Sequence, residues 1–214
     1  MAGETIRQIA YVTSPGTFGA TIDFWLRTVG VGPFYVADFR LGNQTFRGEP
    51  TDCTCRAGLS FQGDLQVEII EPTNDAPSPC REALDRAAVV PSAGLFHHFL
   101  VDTADFEGTC RRLLDGGALE GLRATLPDGR RLTYIDATAV IGSYVEVIEG
   151  GSASAAVSAR MREECAEWDG SDPVRFYYDL VARATQTGRG DQLPAQVSHL
   201  VAAGPGRDHG GNEQ

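Results

Sequence analysis

Four side chains able to bind a divalent metal ion occupy matching places in two similar stretches of the sequence. Gln8 and His98 each lie in an apolar strand pattern that leads into an amphipathic helix, and Glu68 and Glu146 each lie in a later strand pattern. Because a duplicated unit brings its equivalent strands together, we expect the four side chains to converge from four separate strands. Two carboxylates, one imidazole and one amide oxygen form a ligand set that suits a divalent cation.

Each of these polar groups shares its strand face with mostly apolar neighbours, because alternate residues of a strand point to the same side. A carboxylate left unpaired there is costly, and a bound cation removes that cost. The alternative for each residue alone is ordinary: a single His on a strand is usually a packed or surface residue, and a Glu on an edge strand usually points to water. His97 is the rival for the imidazole position. We favour His98 because the turn after it lies at the same distance as the turn after Gln8.

The pattern around these residues predicts two copies of a βαβββ module, and therefore an α+β fold. The first copy covers residues 5–72, with strands at 6–13, 34–40, 53–62 and 65–71 and a helix at 17–28. The second copy covers residues 95–150, with strands at 96–101, 121–125, 131–136 and 143–149 and a helix at 105–114. Residues 73–94 form a linker that contains several prolines and a short helix near 80–88.

A C-terminal helical extension is predicted over residues 151–190, with helices at 154–168 and from 173 to about 187. We expect these helices to pack on the double module or across a dimer interface. That packing would bury Met161, Trp168 and Phe176. Residues 191–214 are rich in Gly, Pro, Gln and Asp, which predicts a disordered tail.

The composition argues against several kinds of partner and site. A formal net charge of −11 over 214 residues argues against nucleic acid and against anionic membrane surfaces. We find no apolar run long enough to span a bilayer and no signal-peptide core, so we expect a cytoplasmic protein. The five cysteines match no disulfide or zinc framework. The close pair Cys53 and Cys55 is explained by alternate positions on one strand face as well as by metal binding.

The order and spacing of four motifs resemble the vicinal oxygen chelate superfamily, which includes glyoxalase I, methylmalonyl-CoA epimerase and extradiol dioxygenases. The resemblance covers residues 5–150, and its motifs are Gln8-Ile-Ala-Tyr-Val12, Val67-Glu-Ile-Ile-Glu-Pro72, Phe96-His-His-Phe99 and Tyr144-Val-Glu-Val-Ile-Glu149. It implies that the two modules form a cupped mixed sheet around one divalent metal that binds vicinal oxygens of a substrate. Many members have His where this chain has Gln8. A Gln, Glu, His, Glu set is similar to that of some glyoxalase I enzymes and disfavours a dioxygenase.

The resemblance implies metal-dependent proton transfer at a carbon next to a carbonyl, by an isomerase, an epimerase or a glyoxalase-type lyase acting on a small oxygen-rich metabolite. The metal (Zn, Ni, Co, Mn or Fe) would act as a Lewis acid, and Glu68 or Glu146 would be the base. We expect the substrate to contact four further side chains, which are Phe61, Phe96, Tyr134 and Asp136. A homodimer is also expected.

Two other functions stay open from the sequence. One is a metal-free small-molecule-binding protein of the same fold, in which the cup holds a ligand and does no chemistry. The other is a ring-cleaving dioxygenase, which would need iron and O₂. Measurements of metal content and oxygen consumption distinguish these two functions from metal-dependent proton transfer.

Overall fold

The computed structural model describes residues 4–186, and the tail predicted over 191–214 lies outside them. The first module contains six strands and one helix: β1 (Thr5–Val12), α1 (Phe18–Phe24), which continues into a π-helical turn (Trp25–Val29), β2 (Phe34–Arg40), β3 (Gly42–Phe46), β4 (Glu49–Pro50), β5 (Thr54–Gln62) and β6 (Leu65–Pro72). A short helix, α2 (Pro79–Arg86), leads to the second module. That module contains β7 (Leu95–Thr103), α3 (Phe106–Asp115), β8 (Leu119–Thr125), β9 (Arg131–Ala137), the one-turn α4 (Thr138–Ile141) and β10 (Ser143–Glu149).

The C-terminal extension contains α5 (Ser152–Ala166), a short strand β11 (Val174–Phe176) and α6 (Tyr177–Gln186). All eleven strands join one mixed sheet in the order β11-β2-β5-β6-β1-β7-β10-β9-β8-β3-β4. The two modules meet where β1 pairs antiparallel with β7. The predicted α+β fold with two βαβββ modules is confirmed.

The sheet is cupped, as its own connections require. β2 and β3 are separated by one residue, Leu41, yet they lie eight strand positions apart in the sheet. In a flat sheet that separation would be roughly 38 Å, at about 4.8 Å per strand. A two-residue step of chain spans at most about 7 Å. The two flanks of the sheet must therefore curve towards each other and enclose the face between them.

Helices α1 and α3 cover the opposite, outer face. Phe18 and Ile22 of α1 pack with Ile69 of β6, while Phe106 of α3 packs with Val147 of β10. The neighbours of these strand residues must point to the enclosed face, because side chains alternate along a strand. The outer helices thus direct alternate positions of β6 and β10 into the cup.

Two carboxylates accept hydrogen bonds from backbone N–H groups at the starts of α1 and α3. The carboxylate of Glu71 accepts hydrogen bonds from the backbone N–H groups of Gly16 (2.7 Å) and Phe18 (3.3 Å), next to the first turn of α1. Asp105 caps α3 by accepting from Gly108 N–H at 3.0 Å. Carboxylates are favourable there because the first N–H groups of a helix lack partners within it.

The hairpin β3–β4 and the strand β11 were not predicted from the sequence. β3 and β4 are joined at Arg47 and Gly48, which have φ values of 51° and 86°, and two positive φ angles are typical of a tight hairpin turn. These strands are five, two and three residues long. Segments of that length carry too few alternations for a strand pattern to stand out.

The C-terminal extension packs on its own chain, against the first module. Met161 is 1% exposed and contacts Tyr35, Phe61 and Leu180, so its predicted burial is confirmed. Trp168 is half-buried. Phe176 lies on the edge strand β11 and is 66% exposed, so its own chain does not bury it, and its predicted burial across a dimer stays a prediction. Among residues 4–186, no helix has both the length and the apolar character needed to cross a membrane.

Glu164 of α5 links the extension to the sheet. Its carboxylate accepts hydrogen bonds from four side chains, which are Tyr35, Arg160 (2.8 Å), Arg175 (3.3 Å) and Arg183 (3.0 Å). Burial acts to raise the pKa of Glu164, but the bonds from Arg183, Tyr35 and Arg160 outweigh it and lower the pKa to about 2. The ionised carboxylate therefore holds α5, α6, β11 and β2 together.

The stability that Glu164 contributes should depend on pH. Its folded-state pKa lies below the ordinary value of 4.5, so the contribution is complete above that value and is lost as the pH falls towards about 2. We expect Glu164→Gln to lower the free energy of unfolding by about 1–3 kcal/mol at neutral pH, and by much less at a pH close to the folded-state pKa. Urea unfolding of both proteins at the two pH values measures this.

The neighbouring Glu163 offers a matched control. Its side chain is 65% exposed and lies 3.7 Å from Arg160, and exposed ion pairs contribute little. Glu163→Gln should therefore change the unfolding free energy by less than about 0.5 kcal/mol. Equal effects of the two substitutions would show that Glu164 has no special role.

Candidate metal centre

Four adjacent strands carry the predicted ligands on one face of the sheet. β6, β1, β7 and β10 are neighbours in that order. Glu68 and His98 both lie opposite Ala10, while Gln8 and Glu146 both lie opposite Leu100. Paired residues of neighbouring strands point to the same side, and so do residues two apart on one strand. All four side chains therefore face the inside of the cup.

Three of these side chains meet closely. His98 Nε2 lies 2.9 Å from Glu146 Oε2 and 3.6 Å from Glu68 Oε2. One ligand atom from each of the three lies within 4.8 Å of the others, a spacing that could hold a metal ion. His98 is completely buried, and the side chains of Glu146 and Glu68 are 5% and 14% exposed.

The electrostatics of this cluster are those of a site that lacks a positive charge. Burial, followed by the nearby charge of Glu146, raises the pKa of Glu68 well above its usual range. Burial raises the pKa of Glu146 to about 8, against the opposing hydrogen bond from Tyr134. Burial lowers the pKa of His98 to about 3, so its imidazole is neutral. A neutral imidazole is the form that binds metal, and a cation would favour ionisation of both carboxylates.

Two buried ligand atoms have no hydrogen-bond partner among the described residues. They are Gln8 Oε1 and His98 Nε2. The amide nitrogen of Gln8 donates to Gln66 Oε1 at 2.9 Å, which leaves the carbonyl oxygen of Gln8 free. The contact of His98 Nε2 with Glu146 is short, but it does not have hydrogen-bond geometry. Such orphaned acceptors are costly in a core, and a bound cation would satisfy both of them. The residues present therefore fit a divalent metal.

His97 lies behind His98 and contacts it directly. Ala10 pairs with His98 and Tyr11 pairs with Phe96, so His97 is the extra residue of a β-bulge. Its Nδ1 lies 2.8 Å from His98 Nδ1. If His98 Nε2 binds a cation, its Nδ1 must carry the proton and donate to His97. This arrangement gives His97 the task of orienting the His98 ring.

The other predicted site residues fall into two groups. Phe61 and Tyr134 line a cavity of about 480 Å³ together with Gln8, Glu68 and Glu146. Phe96 and Asp136 are not among the residues of its wall. Phe96 is 41% exposed and packs edge-on against Tyr11. Asp136 instead forms an ion pair with Arg47 at 2.5 Å and accepts from the Thr138 hydroxyl.

Several wall residues were not anticipated from the sequence. Gln66 shares a face with Glu68 two positions later, which is the signal that could have identified it. Arg7 lines the cavity next to Gln8, because Ile6 pairs with Val101 and Gln8 with Leu100, leaving Arg7 as a second bulge residue. A strict alternation would have placed Arg7 on the outer face.

Three thiols also line the cavity. They belong to Cys53, Cys55 and Cys80. Burial raises the pKa of each thiol, and the nearby carboxylates add to the effect for Cys55 and Cys80. Neutral thiols are poor metal ligands and poor nucleophiles. The three cysteines are therefore polarisable wall residues here.

No family model and no curated protein matches the chain, but solved structures do. Methylmalonyl-CoA epimerase from Mycobacterium tuberculosis is 16% identical with a TM-score of 0.46, covering 71% of this chain and 91% of its own. A variant of Streptomyces coelicolor methylmalonyl-CoA epimerase in complex with 2-nitronate-propionyl-CoA is 16% identical with a TM-score of 0.44, covering 69% and 97%. A hypothetical protein from Bacillus halodurans C-125 is 12% identical with a TM-score of 0.44, covering 70% and 96%.

At TM-scores below 0.5, the likeness says nothing about the reaction of this chain. Its own side chains decide what the site can do.

Proposed function

We propose that this chain is a metal-dependent enzyme that transfers a proton at a carbon next to a carbonyl group, as an isomerase, an epimerase or a glyoxalase-type lyase of the vicinal oxygen chelate superfamily. The observation that carries this proposal is the buried cluster of Glu68, His98 and Glu146, whose two carboxylates line the cavity. Two carboxylates beside one neutral imidazole provide both a cation site and a base.

The metal would be held by His98, Glu146, Glu68 and the carbonyl oxygen of Gln8. A divalent metal supplies Lewis-acid polarisation of a carbonyl, which makes the neighbouring C–H bond more acidic. The protein itself supplies the base, because one of the two carboxylates accepts and returns the proton.

Glu68 is the better candidate for the base. Glu146 lies 2.9 Å from His98 Nε2, and a hydrogen bond from the Tyr134 hydroxyl acts to lower its pKa. Glu68 lies farther from His98, at 3.6 Å, and its pKa is shifted by burial and by the charge of Glu146, with no hydrogen bond acting on it. Its side chain is also the more exposed of the two and lines the cavity. A less restrained carboxylate facing the substrate is placed to accept and return a proton.

The proposal is tested by deuterium exchange. Protein stripped with a chelator is reloaded separately with Zn²⁺, Ni²⁺, Co²⁺, Mn²⁺ or Fe²⁺ and incubated in D₂O with (R)-benzoin, hydroxyacetone or methylmalonyl-CoA. We expect one metal ion per chain, and NMR-detected exchange of the α-proton only in the reloaded protein. Loss of optical rotation by (R)-benzoin would report the epimerase half-reaction directly.

Two results would contradict the proposal. Metal-loaded protein that exchanges none of these protons, yet binds ligands, would indicate the binding-protein alternative. Oxygen consumption with catechol by the iron-loaded protein would indicate the ring-cleaving dioxygenase.

A further inference from the structure

The C-terminal extension forms part of the cavity wall. Val157, Ser158 and Met161 of α5 and Tyr177 of α6 all line it. Met161 is also anchored from the sheet side, because Gln66 Nε2 lies 3.8 Å from its sulfur. Part of the cavity wall is thus supplied by residues that follow the two modules in the sequence.

The rest of the wall away from the carboxylates is largely apolar. It includes side chains from both flanks of the cup, namely Phe39, Leu41, Leu122, Leu126, Leu132 and Ile148. A polar group placed against these side chains would lose its hydrogen bonds to water without replacement. An apolar group would gain by leaving water. A cavity of about 480 Å³ lies in the range that holds small organic ligands.

The arginines of the wall are already paired with acids. Arg130 Nε lies 2.7 Å from Asp128, and its Nη1 donates to the Glu149 carbonyl oxygen at 2.9 Å. Arg162 Nε lies 3.3 Å from the exposed carboxylate of Asp64, but this contact does not have hydrogen-bond geometry. Arg7 Nε lies 3.8 Å from Asp102, which also lines the cavity. The three arginines of the wall are matched by three wall carboxylates, those of Glu68, Asp102 and Glu146. The wall therefore has no excess of positive charge to bind a carboxylate or the phosphates of coenzyme A.

We infer that the cavity takes an uncharged, mainly apolar carbonyl compound, such as an aryl ketone, and that the C-terminal extension sets the size limit. The inference deepens the proposed function and rests on it for the end of the ligand that meets Glu68 and Glu146. The hydrocarbon body lies against the leucine-rich wall, and α5 closes over it. Coenzyme A thioesters are excluded as substrates.

The test uses metal-free full-length protein, so that binding is measured apart from catalysis. Calorimetric titration compares 2-acetylnaphthalene with 2-naphthoate, which have the same ring system and differ in charge, and with acetyl-CoA. We expect 2-acetylnaphthalene to bind at least tenfold more tightly than 2-naphthoate, and acetyl-CoA to give no measurable binding. Tighter binding of 2-naphthoate or of acetyl-CoA would overturn the inference.

A pair of variants on one helix tests the role of the extension. Val157→Trp adds bulk inside the cavity, while Ala159→Trp adds the same bulk at an exposed position outside the wall. We expect the first to weaken 2-acetylnaphthalene binding at least tenfold and the second to leave it unchanged. Should Val157→Trp unfold, Ser158→Phe fills the same wall with a smaller change. Unchanged affinity in a folded Val157→Trp or Ser158→Phe protein would overturn the size limit.

A failure of the predicted ligand class can be distinguished from a failure of the proposed enzymatic function. Selective binding of the neutral ketone with no proton exchange after metal loading would keep the ligand class and reject the enzyme. Proton exchange of methylmalonyl-CoA by the loaded protein would keep the enzyme and reject the ligand class.

Discussion

Replacement of His98 by alanine should reduce divalent-metal affinity by more than about 100-fold and leave the fold intact. The imidazole nitrogen is the point on which both carboxylates converge, at 2.9 and 3.6 Å. Loss of a partner that merely orients a ligand already costs about 10–100-fold in affinity, so loss of the ligand itself should exceed that range. Isothermal titration with Zn²⁺ and the visible absorption of the Co²⁺ form measure the affinity, and circular dichroism checks the fold.

His97→Gln provides the matched comparison, because His97 is equally buried and adjacent in sequence. It contacts His98 through Nδ1 and stacks on Tyr144 with ring centroids 5.1 Å apart. We expect this variant to lose about 10–100-fold in affinity, as for other orienting partners. If His98→Ala kept full metal occupancy while His97→Gln lost it, His97 would be the ligand and the assignment would be reversed.

The sequence could predict the modules and the identity of the convergent residues because both follow from periodicity. The segments 34–40 and 143–149 are short runs rich in apolar and aromatic residues, and their predicted limits agree with β2 and β10. The duplication then pairs equivalent strands. That pairing brings one possible ligand atom from each of Glu68, His98 and Glu146 within 4.8 Å of the others.

The remaining features depend on contacts that a periodic pattern does not encode. The bulge at His97 turns a residue expected on the outer face towards His98. Whether a strand contains an extra residue depends on its partner, so only pairing with β1 reveals it. The same holds for Arg7 at the cavity. The closing role of α5 follows from tertiary packing of Met161, which the helical pattern of 154–168 predicted to be buried without indicating the surface it would cover.

Replacement of the two carboxylates one at a time should separate binding of the metal from transfer of the proton. Glu68→Gln keeps an amide oxygen near the site but cannot accept a proton. We expect it to retain metal and to lose α-proton exchange by about 10²–10⁴-fold, the usual contribution of a general base. Glu146→Gln replaces the carboxylate that lies 2.9 Å from His98, the shorter of the two carboxylate contacts with this imidazole. We expect this variant to bind the metal more weakly. Its α-proton exchange should then fall in proportion to the metal that it has lost.

Metal content measured by elemental analysis on the same samples used for exchange decides between the two roles. Exchange is compared at saturating metal, so that weaker binding alone cannot imitate the loss of a base. A Glu146→Gln protein that binds its full complement of metal but is inactive, together with an active Glu68→Gln protein, would reverse the assignments. Glu146 would then be the base. Full activity in both variants would remove the carboxylates from the reaction altogether. Their buried positions beside His98 would then require an explanation from ligand binding alone, because two uncompensated carboxylates are costly to keep in an enclosed apolar wall.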